Sequence, residues 1–234
     1  MKILQISDVH GRECIFDILK KENPDLTVFT GDFVSTHDNI TEEEQINVCN
    51  RIFEYKEKNS DKVILLRGNH DVQHVGYSWA ECTGYCPKVG KWLQENKDRW
   101  LNNTQWIYIQ DNILFSHAGV STVWIEMNNI KNIEEINKME PSPIFEFTPD
   151  NFSDYCGTSK TQPPTWIRQQ TLVTCAIPDY IQVVGHTPVK YISNCSVEVR
   201  AKYNIECPDI WLTDCLPEQY LIIEDGSFIV KNLK

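Results

Sequence analysis

Five short polar blocks occur in order along the 234-residue chain. They are Asp8-Val9-His10, Gly31-Asp32, Gly68-Asn69-His70-Asp71, Ser116-His117-Ala118-Gly119 and Gly185-His186-Thr187-Pro188. Between them Asp8, His10, Asp32, Asn69, His117 and His186 offer nitrogen and oxygen donors of the kind that hold metal ions. Imidazole nitrogen with carboxylate or amide oxygen suits Mn, Fe, Zn, Co or Ni, and no Cys stands in the blocks to make a thiolate site. Six candidate donors are too many for one tetrahedral structural ion, which four ligands close. Two ions sharing a bridging carboxylate use the set better, and paired metals commonly clamp the attacking and leaving oxygens of an in-line phosphoryl displacement. The predicted cofactor is therefore two divalent metal ions. The donor set does not select the native metal; manganese is the expected choice in vitro.

Donors so far apart in sequence need a scaffold that brings them together. Each block sits at or beside the end of an apolar, strand-like run: Ile3-Leu4-Gln5-Ile6, Leu26-Thr27-Val28-Phe29, Val63-Ile64-Leu65-Leu66, Ile113-Leu114-Phe115 and Ile181-Gln182-Val183-Val184. Continuous apolar runs read as strands buried on both faces, and open α/β sheets place ligands at the strand carboxyl ends. Up to about residue 120 the chain alternates strand and helix. A helix is predicted from Arg12 to Lys21, ended by Asn23-Pro24, and a second from a Thr41/Glu44 capping box to Lys58. Ser78–Ala80 and Val89–Asn96 are helix or loop candidates. Trp106–Gln110 and Ile113–Ser116, parted by Asp111-Asn112, predict a hairpin. Residues 121–165, rich in Pro, read as an irregular excursion packed over the site, with a helix near Ile133–Lys138. Strands are predicted again at Val197–Tyr203, Ile210–Thr213, Tyr220–Glu224 and Phe228–Lys231, the last pair joined by an Asp225-Gly226 turn.

Composition bounds the rest. Hydrophobic residues make up 41% and charged residues 24%, ordinary globular usage, so one domain over 1–234 with a substantial core is expected. The chain opens on a strand rather than a leader, no apolar run approaches a membrane span, and nine Cys form no tight framework. Together these predict reduced thiols and a cytoplasmic protein with no membrane partner. The net charge of −11 argues against general nucleic-acid binding, which needs clustered Lys and Arg, yet leaves phosphorylated substrates open because bound metals invert local charge.

Asp8-Val9-His10-Gly11, Gly31-Asp32, Leu66-Arg67-Gly68-Asn69-His70-Asp71, His117-Ala118-Gly119 and Gly185-His186-Thr187-Pro188, taken together and in this order, resemble the calcineurin-like metallophosphoesterase superfamily. The pattern is similar to its phosphoprotein-phosphatase branch, including bacterial and phage phosphatases and diadenosine tetraphosphatases. Pro188 stands where diesterase members carry a second His, which favours that branch. The resemblance implies an α/β fold of the α+β kind: a four-layer αββα sandwich of two mixed sheets flanked by helices, with the dinuclear site at strand ends. It implies that Asp8, His10 and Asp32 hold one metal. Asp32 would bridge to a second, completed by Asn69, His117 and His186. A hydroxide shared by the two would attack a phosphomonoester in line, with His70 as the general acid. Trp166-Ile167-Arg168 is similar to a W-x-R element whose Arg grips the substrate phosphate, a task suited to a planar guanidinium. Asp214 and the closing strands fit the family's last sheet.

The chain departs from the family at the second block. There Gly31-Asp32-Phe33-Val34-Ser35-Thr36 lacks the usual Asp that orients the catalytic His and a first phosphate-binding Arg. Asp71 or Asp38 could orient His70, and Arg12 or His37 could contact phosphate. The expected function is hydrolysis of a phosphomonoester on a phosphoprotein or small molecule. The alternative is diadenosine tetraphosphatase-like cleavage of a nucleotide phosphoanhydride, which a stacking aromatic such as Trp124, Tyr155 or Trp166 near the metals would favour. A non-catalytic scaffold on the same fold is the third reading. Several residues have simpler explanations. Asp8 and Asp32 could cap helices, and Gly31, Gly68 and Gly185 could serve tight turns. His37 and His74 are expected in exposed loops, and Trp79, Trp92, Trp100, Trp106 and Trp124 in the core or the excursion.

Overall fold

The apolar runs that end in polar blocks form the strands of two mixed sheets. Lys2–Ile6 (β1), Leu26–Phe29 (β2) and Val63–Leu66 (β3) lie parallel, with Ile3 beside Leu26 and Thr27 beside Val63. Thr104–Gln105 (β4) extends that sheet past β3. Ile107–Gln110 (β5), Ile113–Ser116 (β6), Ile181–Val184 (β7), Ser193–Asn194 (β8) and Ile210–Leu212 (β9) build the second sheet in the order β5-β6-β7-β9-β8. Gln219–Glu224 (β10) and Ser227–Asn232 (β11) return to the first, which runs β11-β10-β1-β2-β3-β4. The structure, a computed structural model, describes residues 1–35, 38–77, 82–147, 157–204 and 206–233. His37, Thr36, Ser78–Ala80 with Trp79, and Tyr155 lie outside them.

Side chains alternate across a strand, so each strand feeds two cores. Ile3, Leu26, Val28, Leu66, Leu221 and Ile223 of the first sheet meet Phe115 and Val183 of the second in a layer between the sheets. Their neighbours Leu4, Ile6, Phe29, Val63 and Leu65 face away, onto helices Cys14–Glu22 (α1) and Glu42–Lys58 (α2) through Ile15, Ile18, Val48, Ile52 and Phe53. On the far side of the second sheet, Val184, Ile210 and Leu212 pack with Ile167 and Leu172. Burial on both faces is why the strands read as unbroken apolar runs, and the layered helix and sheet order is the predicted fold class.

The elements follow local chemistry. Thr41 and Glu44 close the capping box that starts α2, with Thr41 N–H donating to Glu44 Oε2 at 2.7 Å. Asn23, at φ 42°, ends α1. Asp225 and Gly226, at φ 49° and 77°, make the β10–β11 turn. The remaining helices are Asn69–Val75 (α3), Pro87–Glu95 (α4), Lys97–Asn103 (α5), Thr122–Met127 (α6), Gln169–Leu172 (α7) and Cys195–Tyr203 (α8). Within 121–165, Ile133–Lys138 forms a 3-10 helix, and Trp124 and Phe145 are buried against each other. Among the described residues no helix is long and apolar enough to cross a membrane.

Two sequence expectations are corrected here. Val197–Tyr203 lies in helix α8 rather than a strand. Asn194 caps it by accepting the Ser196 N–H at 3.1 Å, Glu198 sits in its first turn, and Arg200 and Lys202 in its last, which suits the helix dipole better than a weak alternation suits a strand. His74 is not in an exposed loop. It is fully buried on α3, where Nδ1–H donates to the His70 carbonyl at 2.8 Å and Nε2 accepts the Cys86 N–H at 3.0 Å.

Candidate metal centre

The polar blocks leave their strands by sharp turns. Asp8, His10, Asp32 and His186 take φ of 47°, 46°, 53° and 62°, the left-handed region that side chains other than Gly seldom occupy. Such strain persists where surrounding contacts overdetermine it. Here His10 N–H donates to the Asp32 carbonyl at 2.8 Å and Gly185 N–H to the His117 carbonyl at 2.8 Å, tying block to block. Gly31, at φ 96°, is the turn residue expected of it. Gly68 and Gly185 are needed for room instead. A Cβ on Gly68 would stand 2.1 Å from Asp32 Oδ1, and one on Gly185 2.0 Å from Asp8 Oδ2.

Ligand atoms of Asp8, His10 and Asp32 lie within 4.8 Å of one another. Asp32 Oδ2 is also 3.5 Å from His117 Nε2 and 4.0 Å from His10 Nε2, so this one oxygen is close to both rings. Asn69 Oδ1 stands 2.8 Å from His117 Nε2 and 3.1 Å from His186 Nδ1. The outward nitrogens of the three rings go to main-chain carbonyls. His117 Nδ1 bonds Thr30 at 2.7 Å, His186 Nε2 bonds Trp166 at 3.1 Å, and His10 Nδ1 bonds Val34 at 3.1 Å and Ser35 more closely. A ring that donates its outer N–H presents a lone pair inward, the usual preparation of a metal-binding His. Burial drives the same result, pushing His117 down to about 3 and His186 well below the ordinary imidazole value. The Asn69 amide is oriented too, its Nδ2 donating to Cys82 Sγ at 3.3 Å.

Lone pairs therefore meet lone pairs around Asn69 Oδ1, with no proton between them, and such an arrangement repels unless a cation lies among the donors. The carboxylates make the same demand. Asp8 and Asp32 are almost fully buried, and their pKa values are pushed well above the carboxylate range. Burial is the first cause, followed by Asp214 for Asp8 and by Asp8 and Asp71 for Asp32. The residues present fit two divalent cations sharing Asp32, one with Asp8 and His10, the other with Asn69, His117 and His186.

The centre opens into a cleft of about 530 Å³ lined by Asp8, His10, Asp32, Asn69 and His186 together with His70, Arg12, Arg168, Trp166 and Asp214, while His117 is buried behind them. His70 Nε2 stands 3.9 Å from Asp32 Oδ2, its ring edge-on to His10, and its N–H donates to Asp32 Oδ1 at 3.0 Å. Arg168 Nη1 donates to the His186 carbonyl at 2.7 Å.

These donors at strand ends, over a sandwich of two mixed sheets, describe a known architecture. The family model for calcineurin-like phosphoesterases matches residues 1–205. The chain belongs to that family. It is accordingly a phosphoric ester hydrolase whose substrate carries phosphate, and the family works through a dinuclear divalent metal centre. No curated protein matches this chain. A protein serine/threonine phosphatase from Saccharomyces cerevisiae shares its fold over 99% of this chain and 79% of its own, at 11% identity and a TM-score of 0.58. A metallophosphoesterase from Sphaerobacter thermophilus does so over 100% and 89%, at 15% identity and 0.53.

Against the family pattern, the departures at the second block are informative. Asp71 is engaged with main chain. Its two oxygens accept the N–H groups of Asp32 and Phe33 at 2.8 Å and of Gly68 at 3.0 Å, holding the turn that carries Asp32. Burial pushes its pKa up to about 7 against those bonds. Asp38 pairs with Arg12. Ser35, in place of the family's Asp, donates its hydroxyl to the Thr83 and Gly84 carbonyls at 3.1 and 2.8 Å, securing a wall of the cleft. Arg67, beside the third block, is spent on packing over Trp100 and Trp106. The sequence reading placed Asp214 with the last sheet but gave it no role at the site. This residue borders the cleft with its pKa pushed up to about 6 by burial, against the pull of Arg12 and Arg168. Only its place just after a strand signalled it.

Proposed function

We propose that this protein hydrolyses a phosphomonoester, on a phosphoprotein or a small phosphorylated molecule, through a dinuclear site. Asp8, His10 and Asp32 hold one metal and Asp32, Asn69, His117 and His186 the other. Manganese is the working ion, and the compartment is the cytoplasm. When bound, the metals supply Lewis-acid activation of solvent and of the phosphoryl oxygens. The chain's own residues do the rest. Arg168, anchored on the His186 carbonyl, grips the substrate phosphate with its planar guanidinium. His70, on the cleft side of Asp32, gives a proton to the leaving oxygen. Its main chain is held at both ends, the N–H by Asp32 and the carbonyl by His74, so the ring stands at a defined place above the donors. The observation that carries this reading is the meeting of unprotonated donors around Asp32 and Asn69 with a guanidinium on the same cleft.

One observation supports a second reading, cleavage of a nucleotide phosphoanhydride. Trp166 lines the cleft, edge-on to His186, where an aromatic face could receive a base. Trp124 gives no such support, being buried beneath Ile144 and Phe145.

The test begins with metal-stripped protein and p-nitrophenyl phosphate, adding Mn²⁺ back, beside an Arg168→Ala variant. Metal-dependent turnover that falls at least tenfold in the variant supports the monoesterase site. Turnover confined to dinucleoside polyphosphates would transfer the assignment to the second reading. Protein that binds no metal and turns over neither substrate would overturn both.

A further inference from the structure

Arg12 has the same kind of anchor as Arg168. Arg168 spends an N–H on the carbonyl of His186, and Arg12 spends one on the carbonyl of Asp8, Nη1 to O at 3.1 Å. Asp8 and His186 are themselves joined, the His186 N–H donating to both Asp8 carboxylate oxygens at 3.1 Å. The two guanidiniums are thus mounted on one rigid pair of metal-ligand candidates, and both border the same cleft. Both also pull on Asp214.

Arg12 differs in what holds its outer edge. Nε and Nη2 converge on a single Asp38 oxygen, at 3.1 and 2.8 Å, and the Asp38 side chain is 52% exposed. A pair so open to water is weak and exchanges readily. A phosphate dianion brings more charge and three strong acceptor oxygens to the planar fork than one carboxylate oxygen does.

We propose that Arg12 is a second phosphate-contacting residue, with Asp38 as the carboxylate that the substrate phosphate displaces from it. This rests on the phosphoesterase reading and extends it to how the substrate is selected. The cleft then grips phosphate with two guanidiniums, although the second block lacks the arginine that its family usually carries there. Asp38 sets a threshold, since only a strongly anionic group can take its place.

The test is the affinity of the manganese-loaded protein for inorganic phosphate, measured by calorimetry, with KM and kcat for p-nitrophenyl phosphate alongside. Arg12→Ala should weaken phosphate binding about tenfold and raise KM by a similar factor, with a smaller change in kcat. Asp38→Ala, an exposed change, should act with the opposite sign, tightening phosphate and lowering KM about threefold. A purely structural Arg12–Asp38 pair would move both variants in the same direction, or neither, and would overturn the inference while leaving the hydrolase reading intact. Wild-type protein that binds metal but no phosphate would overturn both together.

Discussion

Asp32 is the ligand proposed to serve both halves of the centre, because one of its oxygens lies 4.0 Å from His10 Nε2 and 3.5 Å from His117 Nε2. Replacing it with Asn should therefore remove both metals together, and full metal content by elemental analysis would refute a shared ligand. His70 is predicted to act on the leaving oxygen alone. His70→Ala should keep its metals and lose at least about tenfold in rate with poor leaving groups, less with p-nitrophenol; equal losses would remove the proton-donor role. Gly185→Ala drives a Cβ into Asp8 Oδ2. It should cost about 2 kcal/mol in denaturant unfolding and reduce metal content, as overpacking beside a ligand does. At this scale the sequence was generous. The six donors in its blocks are brought around one centre. It could not say which way an acid points, so Asp71, expected near the chemistry, proves to hold the backbone of Asp32 and Phe33.

The elements explain how a short segment outside the blocks shapes the cleft. Residues 82–86 are fastened by Asn69 to Cys82, by Ser35 to Thr83 and Gly84, and by His74 to Cys86. His74 can accept the Cys86 N–H only while neutral, and burial holds its pKa below the ordinary value of 6.5. Its contribution to stability is therefore complete above the unfolded pKa of about 6.5 and drains away as pH falls towards the lowered folded value. Denaturant titrations from pH 7.5 to 5 should show a steeper loss for wild type than for His74→Gln; parallel curves would refute the assignment. None of this was legible beforehand, because a single His between Gln73 and Val75 carries no periodic signal. The helix at Cys195–Tyr203 was missed for a related reason. A few alternating residues imitate a strand, and the Asn194 cap outweighs them.

For the whole molecule, the dominant fact is a chain of net charge −11 that buries Asp8, Asp32 and Asp71 close together, with Asp214 beside them. Their pKa values are all raised, so the metal-free fold is favoured by these groups below the unfolded value near 3.8. That advantage is lost as pH rises through about 6 for Asp214 and about 7 for Asp71. Cations relieve the repulsion, and binding must expel protons. Adding Mn²⁺ at a hundred times its Kd should stabilise the protein by about 2.7 kcal/mol at pH 7.5, raising Tm by several degrees. The gain should shrink steadily towards pH 5. A Tm shift independent of pH would mean that the metal binds elsewhere.

The sequence by itself determined the donor types, their order, and the strand ends that carry them, because burial on both faces and the need for N/O ligands leave plain marks in one dimension. It also determined the capping box of α2 and the β10–β11 turn, which are decided within a few residues. Only the tertiary structure decided which acid faces the cleft and which braces a turn. It alone showed why Gly68 and Gly185 lack a Cβ, and that Arg12 and Arg168 hang from the neighbouring residues Asp8 and His186. Those facts depend on atoms brought together from opposite ends of the chain, and no local pattern encodes an approach of that kind.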